Sequence, residues 1–304
     1  MPRKSQSAME YLMTYGWAIL IIAVVLGALF QLGVFNAGAF APRASPGACQ
    51  VFRPNGPNTA QFINLEGVCN GELPQYVGVF NGNGAVVTMT TSADNALCNF
   101  TLTAWSYDSG MPSSGNRGGI VAIQAYGSSG GVVYGGPDLE NNDGSYRFEY
   151  IYNNGAGSTG GDQYYSSSNF KGIWIFSAMT FNGVNGNTNS AGTPSEYING
   201  VGGPYGSAVT CAPVQNGQFR IGIWDRYFNG SISNVQIYNT SLSSNEIQYL
   251  YSEGIGGAPL KLQNLVGWWP LNGNANDYSG NDGNGATSGG VTYTSQWTSG
   301  YTPP

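Results

Sequence analysis

The chain has 304 residues, of which 41% are hydrophobic and only 9% charged, with 47 Gly, 31 Asn, 20 Tyr and no His. Chemistry that needs an imidazole is excluded, and aromatic residues at 13% suffice to fill the core of one large domain, which excludes disorder for the bulk of the chain. The formal net charge is −6, and from Gln6 onward 8 basic side chains stand against 16 acidic ones with no Lys/Arg cluster, which excludes nucleic acid as a partner.

Residues 1–5 form a short basic leader with Arg3 and Lys4, and residues 11–35 run YLMTYGWAILIIAVVLGALFQLGVF. A stretch that long is expected to form a helix able to cross a membrane, and it exceeds the apolar core of a secretory signal peptide. Arg3 and Lys4 ahead of it place the N-terminus on the cytoplasmic side and the body outside. Glu10, at the head of this apolar helix, needs a partner, because an ionised carboxylate in apolar surroundings is costly. Cleavage between Ser5 and Gln6 would supply one, since the new α-amino group of Gln6 lies four residues before Glu10.

The segment Arg3-Lys4-Ser5-Gln6-Ser7-Ala8-Met9-Glu10-Tyr11-Leu12 resembles the class III signal peptide of archaeal type IV pilins. In that family a prepilin peptidase cuts before a Gln on the cytoplasmic side, and the fifth mature residue is Glu. Ser5 departs from the pattern, which mostly carries Gly there. The resemblance covers about residues 1–36. It implies a leader of residues 1–5 removed by the peptidase and a hydrophobic assembly helix of residues 6–36, seated in the membrane before assembly. The pilus assembly machinery would then bundle it with the helices of identical subunits in an extracellular filament. The alternative is a membrane-anchored cell-surface lectin that does not polymerise.

Residues 37–48, small and proline-bearing, read as a linker, and the body spans 49–304. Short β-type runs are expected at 76–80, 85–89, 100–105, 119–125, 146–152, 172–181, 219–224, 230–238 and 265–270, separated by turn signals such as Asn81-Gly82, Asn199-Gly200 and Asn229-Gly230. These predict a mainly β antiparallel sandwich of two sheets. One helix is expected over 242–251, with Ser capping, apolar residues at 3–4 spacing and Gly254 to end it.

The run 228–239, followed by Leu242-Ser243 and Glu246-Ile247, resembles the closing strand and short helix of laminin-G-like, concanavalin A-like jelly-roll domains. Residues 100–105, 172–174, 180–183, 197–200 and 219–222 match that family's inner strands in order. The resemblance covers about residues 75–286. Val266-Gly267-Trp268-Trp269-Pro270-Leu271 resembles the family's opening strand, yet follows the closing one here. First and last strands are neighbours in this fold, so the arrangement implies a circular permutation, with donation of the strand to the next subunit as the alternative.

Catalysis is not expected. The Glu-x-Asp-x-x-Glu pattern of sandwich glucanases is absent, and Asp138-Leu139-Glu140 and Asp225 read as loop acids. No cofactor is required. The laminin-G-like resemblance implies one structural Ca²⁺ held by Asp225 and Asp277 with backbone carbonyls, an Asx turn being the alternative at each. Exposed aromatics such as Tyr164, Tyr165, Trp224 and Tyr227 are candidate contacts for surface glycans. Cys49, Cys69, Cys98 and Cys211 lack zinc-site spacing and predict two disulfides, with Cys49–Cys69 and Cys98–Cys211 favoured among the three pairings. Asn99, Asn229 and Asn239 are N-glycosylation sequons, Asn229 being expected in an accessible turn.

Overall fold

The computed structural model describes residues 8–31, 49–53, 61–65, 73–89, 98–110, 117–126, 132–133, 136–142, 145–153, 159–165, 170–184, 191–205, 208–210, 218–223 and 227–304. The side chains described are those of 15–26, 73–89, 98–110, 118–122, 170–184, 191–205, 208, 219–223 and 227–304. The chain divides into two compact units, Met1–Ala44 and Ser45–Pro304.

In the first unit the expected helix is present as α1 (Ala8–Gln31), 24 residues long. Leu, Ala, Met and Ile favour this state, and no Pro interrupts it. Each of residues 15–26 is exposed in the single chain, Trp17, Ile19 and Val24 among them. Among the described residues no helix is long and apolar enough to cross a membrane.

The second unit begins with β1 (Cys49–Arg53), β2 (Gln61–Leu65), β3 (Val77–Asn81), β4 (Val86–Met89), β5 (Asn99–Asp108), β6 (Arg117–Tyr126), β7 (Val132–Val133), β8 (Gly136–Asn142), β9 (Ser145–Asn153) and β10 (Thr159–Tyr165). It continues with β11 (Trp174–Asn182), β12 (Ala191–Gly192), β13 (Pro194–Ile198), β14 (Val201–Pro204), β15 (Val209–Thr210), β16 (Gln218–Ile221) and β17 (Asn229–Tyr238). Helix α2 (Ser244–Ser252), β18 (Leu265–Trp269), β19 (Ala286–Ser288) and β20 (Thr292–Thr294) complete it.

Two antiparallel sheets carry the architecture. Sheet I has the order β14-β13-β11-β5-β17-β3-β20, and sheet II the order β10-β9-β8-β6-β16-β4-β19. Between them lies the main core, with Phe80, Phe100, Leu102, Phe181, Phe219, Ile221, Val235 and Trp269 all at most 1% exposed. Strand alternation places Phe100, Leu102 and Ala104 of β5 in this core and turns Trp105 to the opposite face. The register of β17 against β5 shifts between Ser233 and Gln236, where Asn234 adopts φ 49°. The bulge resets the alternation, so Ile232 and Val235 both enter the core.

The last third of the body closes the sandwich. The first half of β17 pairs with β3 and its second half with β18, Val235 opposite Trp269 and Gln236 opposite Trp268. The predicted strand 265–270 thus lies beside the predicted strand 230–238 within one chain. Gly267 is required here, because a Cβ at this position would collide with the Trp269 ring folded over it. Beyond β18, the segment carrying β19 and β20 crosses from the edge of sheet II at β4 to the edge of sheet I at β3.

Some expectations require correction. Asn229-Gly230 is not a turn but opens β17, opposite Asn81-Phe80 of β3. Asp138-Leu139-Glu140 lies in β8 rather than in a loop, since β8 pairs along its length with β9 and along most of it with β6. The run 219–224 stops at Ile221, where Gly222 takes φ 88°.

Candidate functional site

Much of the outer side of sheet I is covered, whereas β14 at its edge is exposed. That outer side carries a second core of Trp105, Trp174, Phe176, Tyr238, Leu250, Trp268 and Trp297, covered by α2, the segment that follows it and the C-terminal residues. Helix α2 forms through a capping box: Ser243 Oγ accepts the Glu246 N–H and Glu246 Oε2 accepts the Ser243 N–H at 2.8 Å. It buries Ile247 and Leu250 on the sheet. The tail is fixed by indoles, Trp174 Nε1 donating to the Trp297 carbonyl at 2.8 Å and Trp297 Nε1 to the Pro74 carbonyl at 3.1 Å.

Strands β8, β9 and β10 form one end of sheet II. Val121, Phe219 and Ile221 are buried in the core between the sheets, and Leu139 stands opposite Val121 in the register. Asp138 and Glu140, either side of Leu139, therefore occupy positions of the other face. There Asp138 is opposite Glu149 and Glu140 opposite Arg147. One strand further, Glu149 is opposite Gln163 and Arg147 opposite Tyr165. Three strands thus place two acid positions, an acid–base pair, an amide and a tyrosine on one face, residue types that exchange hydrogen bonds with a polyhydroxylated ligand.

Arg147, Glu149 and Gln163 were not singled out from sequence, and the available signal was the period-2 alternation of 145–153. Of the proposed aromatic contacts, Tyr164 and Tyr165 lie in β10, on opposite faces of that strand. Tyr227 is 40% exposed, bridging Ile223, while Trp224 lies outside the described residues.

The proposed calcium residues differ in what the structure describes. Asp225 lies outside the described residues. Asp277 accepts four hydrogen bonds, from Trp268 N–H (3.0 Å) and Ser279 N–H (2.7 Å) on Oδ1 and from Ser279 Oγ (2.7 Å) and Gly283 N–H (2.9 Å) on Oδ2. Four donors match the lone-pair sites of a carboxylate, and Asp277 holds the turn after β18 together with Ser279, Asn281 and Asn284. Among the described residues no group of three or more acidic or Cys side chains is placed to hold a metal ion.

Cys98 is completely buried and disulfide-bonded, one residue ahead of β5. Cys49 opens β1, opposite Leu65, and Cys69 and Cys211 lie outside the described residues. Among the sequons, Asn99 is half-buried and accepts the Ser241 N–H at 2.6 Å, Asn229 is half-buried and donates to the Gly110 carbonyl, and Asn239 is exposed. Glu10 lies in α1, whereas Ser5 and Gln6 lie outside the described residues.

The family model described as the concanavalin A-like lectin/glucanases superfamily matches residues 80–248, from the end of β3 into α2 and over more than half of the chain. The chain belongs to this superfamily. Among solved structures, a protein of Bacteroides ovatus with the provisional name of carbohydrate binding protein is 15% identical, with 77% of this chain and 66% of that one covered and a TM-score of 0.49. The binding domain of botulinum neurotoxin serotype G is 14% identical, with 68% and 50% covered and a TM-score of 0.39. The chain therefore spans less than two thirds of the length of either structure. No curated protein matches the chain. The concanavalin A-like match ends before β18, β19 and β20, the elements that complete the two sheet edges.

Proposed function

We propose that this chain is a structural subunit of an extracellular filament of the archaeal type IV pilus kind, displaying a concanavalin A-like head that adheres to glycans. The observation that carries the reading is the union of an exposed apolar α-helix with a lectin-like sandwich in one chain. The exposed apolar side chains of residues 15–26 need apolar partners, and sister helices can supply them. Ser5, Gln6 and Glu10 are the processing and assembly residues of this reading.

Glycan contact is assigned to the outer face of sheet II, at Asp138, Glu140, Arg147, Glu149, Gln163 and Tyr165, with Tyr227 nearby in sequence to β16. The role is binding without bond cleavage. In the same reading β18 is the superfamily's opening strand moved behind the closing one, and its pairing with β17 supports a circular permutation over donation to a neighbour.

Surface filaments purified from the native source test the proposal. A filament subunit whose N-terminus is Gln6, and loss of filaments on Glu10→Ala, are the expected results. A mature N-terminus at Met1, or filaments of normal length from the Glu10→Ala chain, overturns the pilus assignment and leaves a monomeric surface lectin.

A further inference from the structure

Asparagine followed by glycine is the pair in which a chain attacks its own side chain most readily, because the glycine nitrogen has no neighbouring Cβ to hinder its approach. Among the described residues such pairs begin at Asn81, Asn83, Asn182, Asn199, Asn229, Asn272 and Asn284. All but Asn83 have the carboxamide held by backbone groups. Asn81 Nδ2 donates to the Gly289 carbonyl at 2.9 Å, and its Oδ1 accepts the Asn83 and Ala85 N–H groups. Asn182, Asn199, Asn272 and Asn284 accept the N–H groups of Thr193, Phe176, Tyr76 and Asp277, and Asn229 donates to the Gly110 carbonyl.

Asn83 is exposed, and among the described residues neither its carboxamide nor the Gly84 N–H makes a hydrogen bond. By contrast, Gly82 N–H donates to the Phe228 carbonyl at 3.0 Å and Gly285 N–H to the Ala275 carbonyl at 2.8 Å. A Cβ on Gly84 would meet nothing nearer than the Gly289 Cα at 3.8 Å, so the turn has room to bring the Gly84 nitrogen onto the Asn83 carboxamide.

We propose that Asn83 is a site of spontaneous succinimide formation, which converts it to aspartyl and β-aspartyl forms. The Gly84 N–H gives its proton to solvent hydroxide, and the nitrogen adds to Asn83 Cγ. The Cγ–Nδ2 bond breaks, Nδ2 takes a proton from water, and ammonia leaves. Water then opens the five-membered imide at either carbonyl. The net change is NH2 for OH, with water as the co-reactant. Nucleophile and electrophile sit next to each other in one chain, which is the advantage of an intramolecular reaction, and at Asn81 hydrogen bonds must break first.

The position gives this change a structural effect. Residues 82–85 cross from β3 in sheet I to β4 in sheet II, and residues 289–291 cross back from β19 to β20. The two crossovers are in contact: besides the Asn81–Gly289 hydrogen bond, a Cβ on Gly289 would collide with the Gly84 carbonyl oxygen. Conversion adds a negative charge beside this contact, and the β-aspartyl form also adds a methylene to the backbone between Asn81 and Gly84.

Incubation of the full chain in mildly alkaline heavy-oxygen water, followed by reduction, chymotryptic digestion and fragmentation of the peptides, tests the proposal. Cleavage after Phe80 and Met89 releases residues 81–89, which carry both Asn81 and Asn83. In the folded chain position 83 should take up heavy oxygen about tenfold faster than position 81, which must first give up its hydrogen bonds. In urea the two rates should converge. A protein isoaspartyl methyltransferase should label this peptide after incubation of the folded chain. Asn83→Gln, whose side chain would have to close a six-membered ring, should abolish that label. Equal rates at the two positions in the folded chain would overturn the site. So would a position 83 that stays an amide in the folded chain while the unfolded chain converts.

Discussion

The indole N–H of Trp268 donates to the side-chain oxygen of Asn234 at 2.8 Å, across the seam between β18 and β17. The same oxygen accepts from Gln236 Nε2 at 3.0 Å, while Asn234 Nδ2 donates to the Gly257 carbonyl at 2.8 Å. Gln236 Oε1 accepts in turn from the Tyr238 hydroxyl at 2.6 Å. Burial pushes the Tyr238 phenol far above its usual range, so it remains a donor at every working pH. One residue in the left-handed region thus both makes the bulge and satisfies the polar groups that the bulge buries.

Asn234→Ala should destabilise the body by about 3 kcal/mol, because the Trp268 indole and the Gly257 carbonyl lose their partner in a dry site. Asn234→Gly keeps the backbone freedom but not the hydrogen bonds, so urea unfolding of the two variants separates strain from polar satisfaction. Equal stability of Asn234→Gly and wild type would remove the network from the account.

Trp297 stacks edge-on against Trp174 at 5.9 Å and Tyr301 at 5.6 Å between ring centroids, besides its two backbone-linked hydrogen bonds. Trp297→Ala should cost about 3 to 5 kcal/mol and release the tail from the outer side of sheet I. Hydrogen exchange should then rise at Trp174 N–H, which donates to the Gly300 carbonyl at 2.9 Å.

Asp277→Asn replaces an acceptor oxygen by a donor facing other donors, and should lower the melting temperature as much as Asp277→Ala does. A chelator should leave the wild-type melting curve unchanged, since the four donors already occupy this carboxylate. A drop in melting temperature with chelator, restored by added calcium, would assign a metal to the turn instead.

Burial pushes the Glu246 carboxyl up, but hydrogen bonds from Lys261 and Ser243 together with the lysine charge outweigh it and hold it below the ordinary 4.5. Lys261 Nζ lies 2.6 Å from its Oε1. A carboxyl lowered on folding contributes stability that is fully present above 4.5 and lost as pH falls through the lowered value. Glu246→Gln should therefore leave less acid dependence below pH 4.5 in thermal unfolding. The pair is partly exposed, so the difference is small.

The strands with β-branched and aromatic runs, such as β5 and β11, were legible from composition and turn signals. β8 was not, because Gly136-Pro137-Asp138-Leu139-Glu140-Asn141-Asn142 holds residues that favour turns, and only pairing with β6 and β9 makes it a strand. For the same reason Asp138 and Glu140 read as solvated loop acids and not as neighbours of Arg147 and Glu149. Asn229-Gly230 carried a hairpin signal that tertiary pairing overrode. The α2 boundaries were legible because its cap is local: Ser243 and Glu246 lie three residues apart.

β3, the first strand of sheet I in the chain, is not at an edge of that sheet but lies between β17 and β20. Val79 stands opposite both Ser231 and Thr292. Both flanks of β3 come late in the chain, so it waits for more than two hundred later residues before the second, β20, is made. Contacts of such sequence separation fold slowly and leave strand edges open meanwhile. Sheet I is thus completed only when the last residues of the chain are in place.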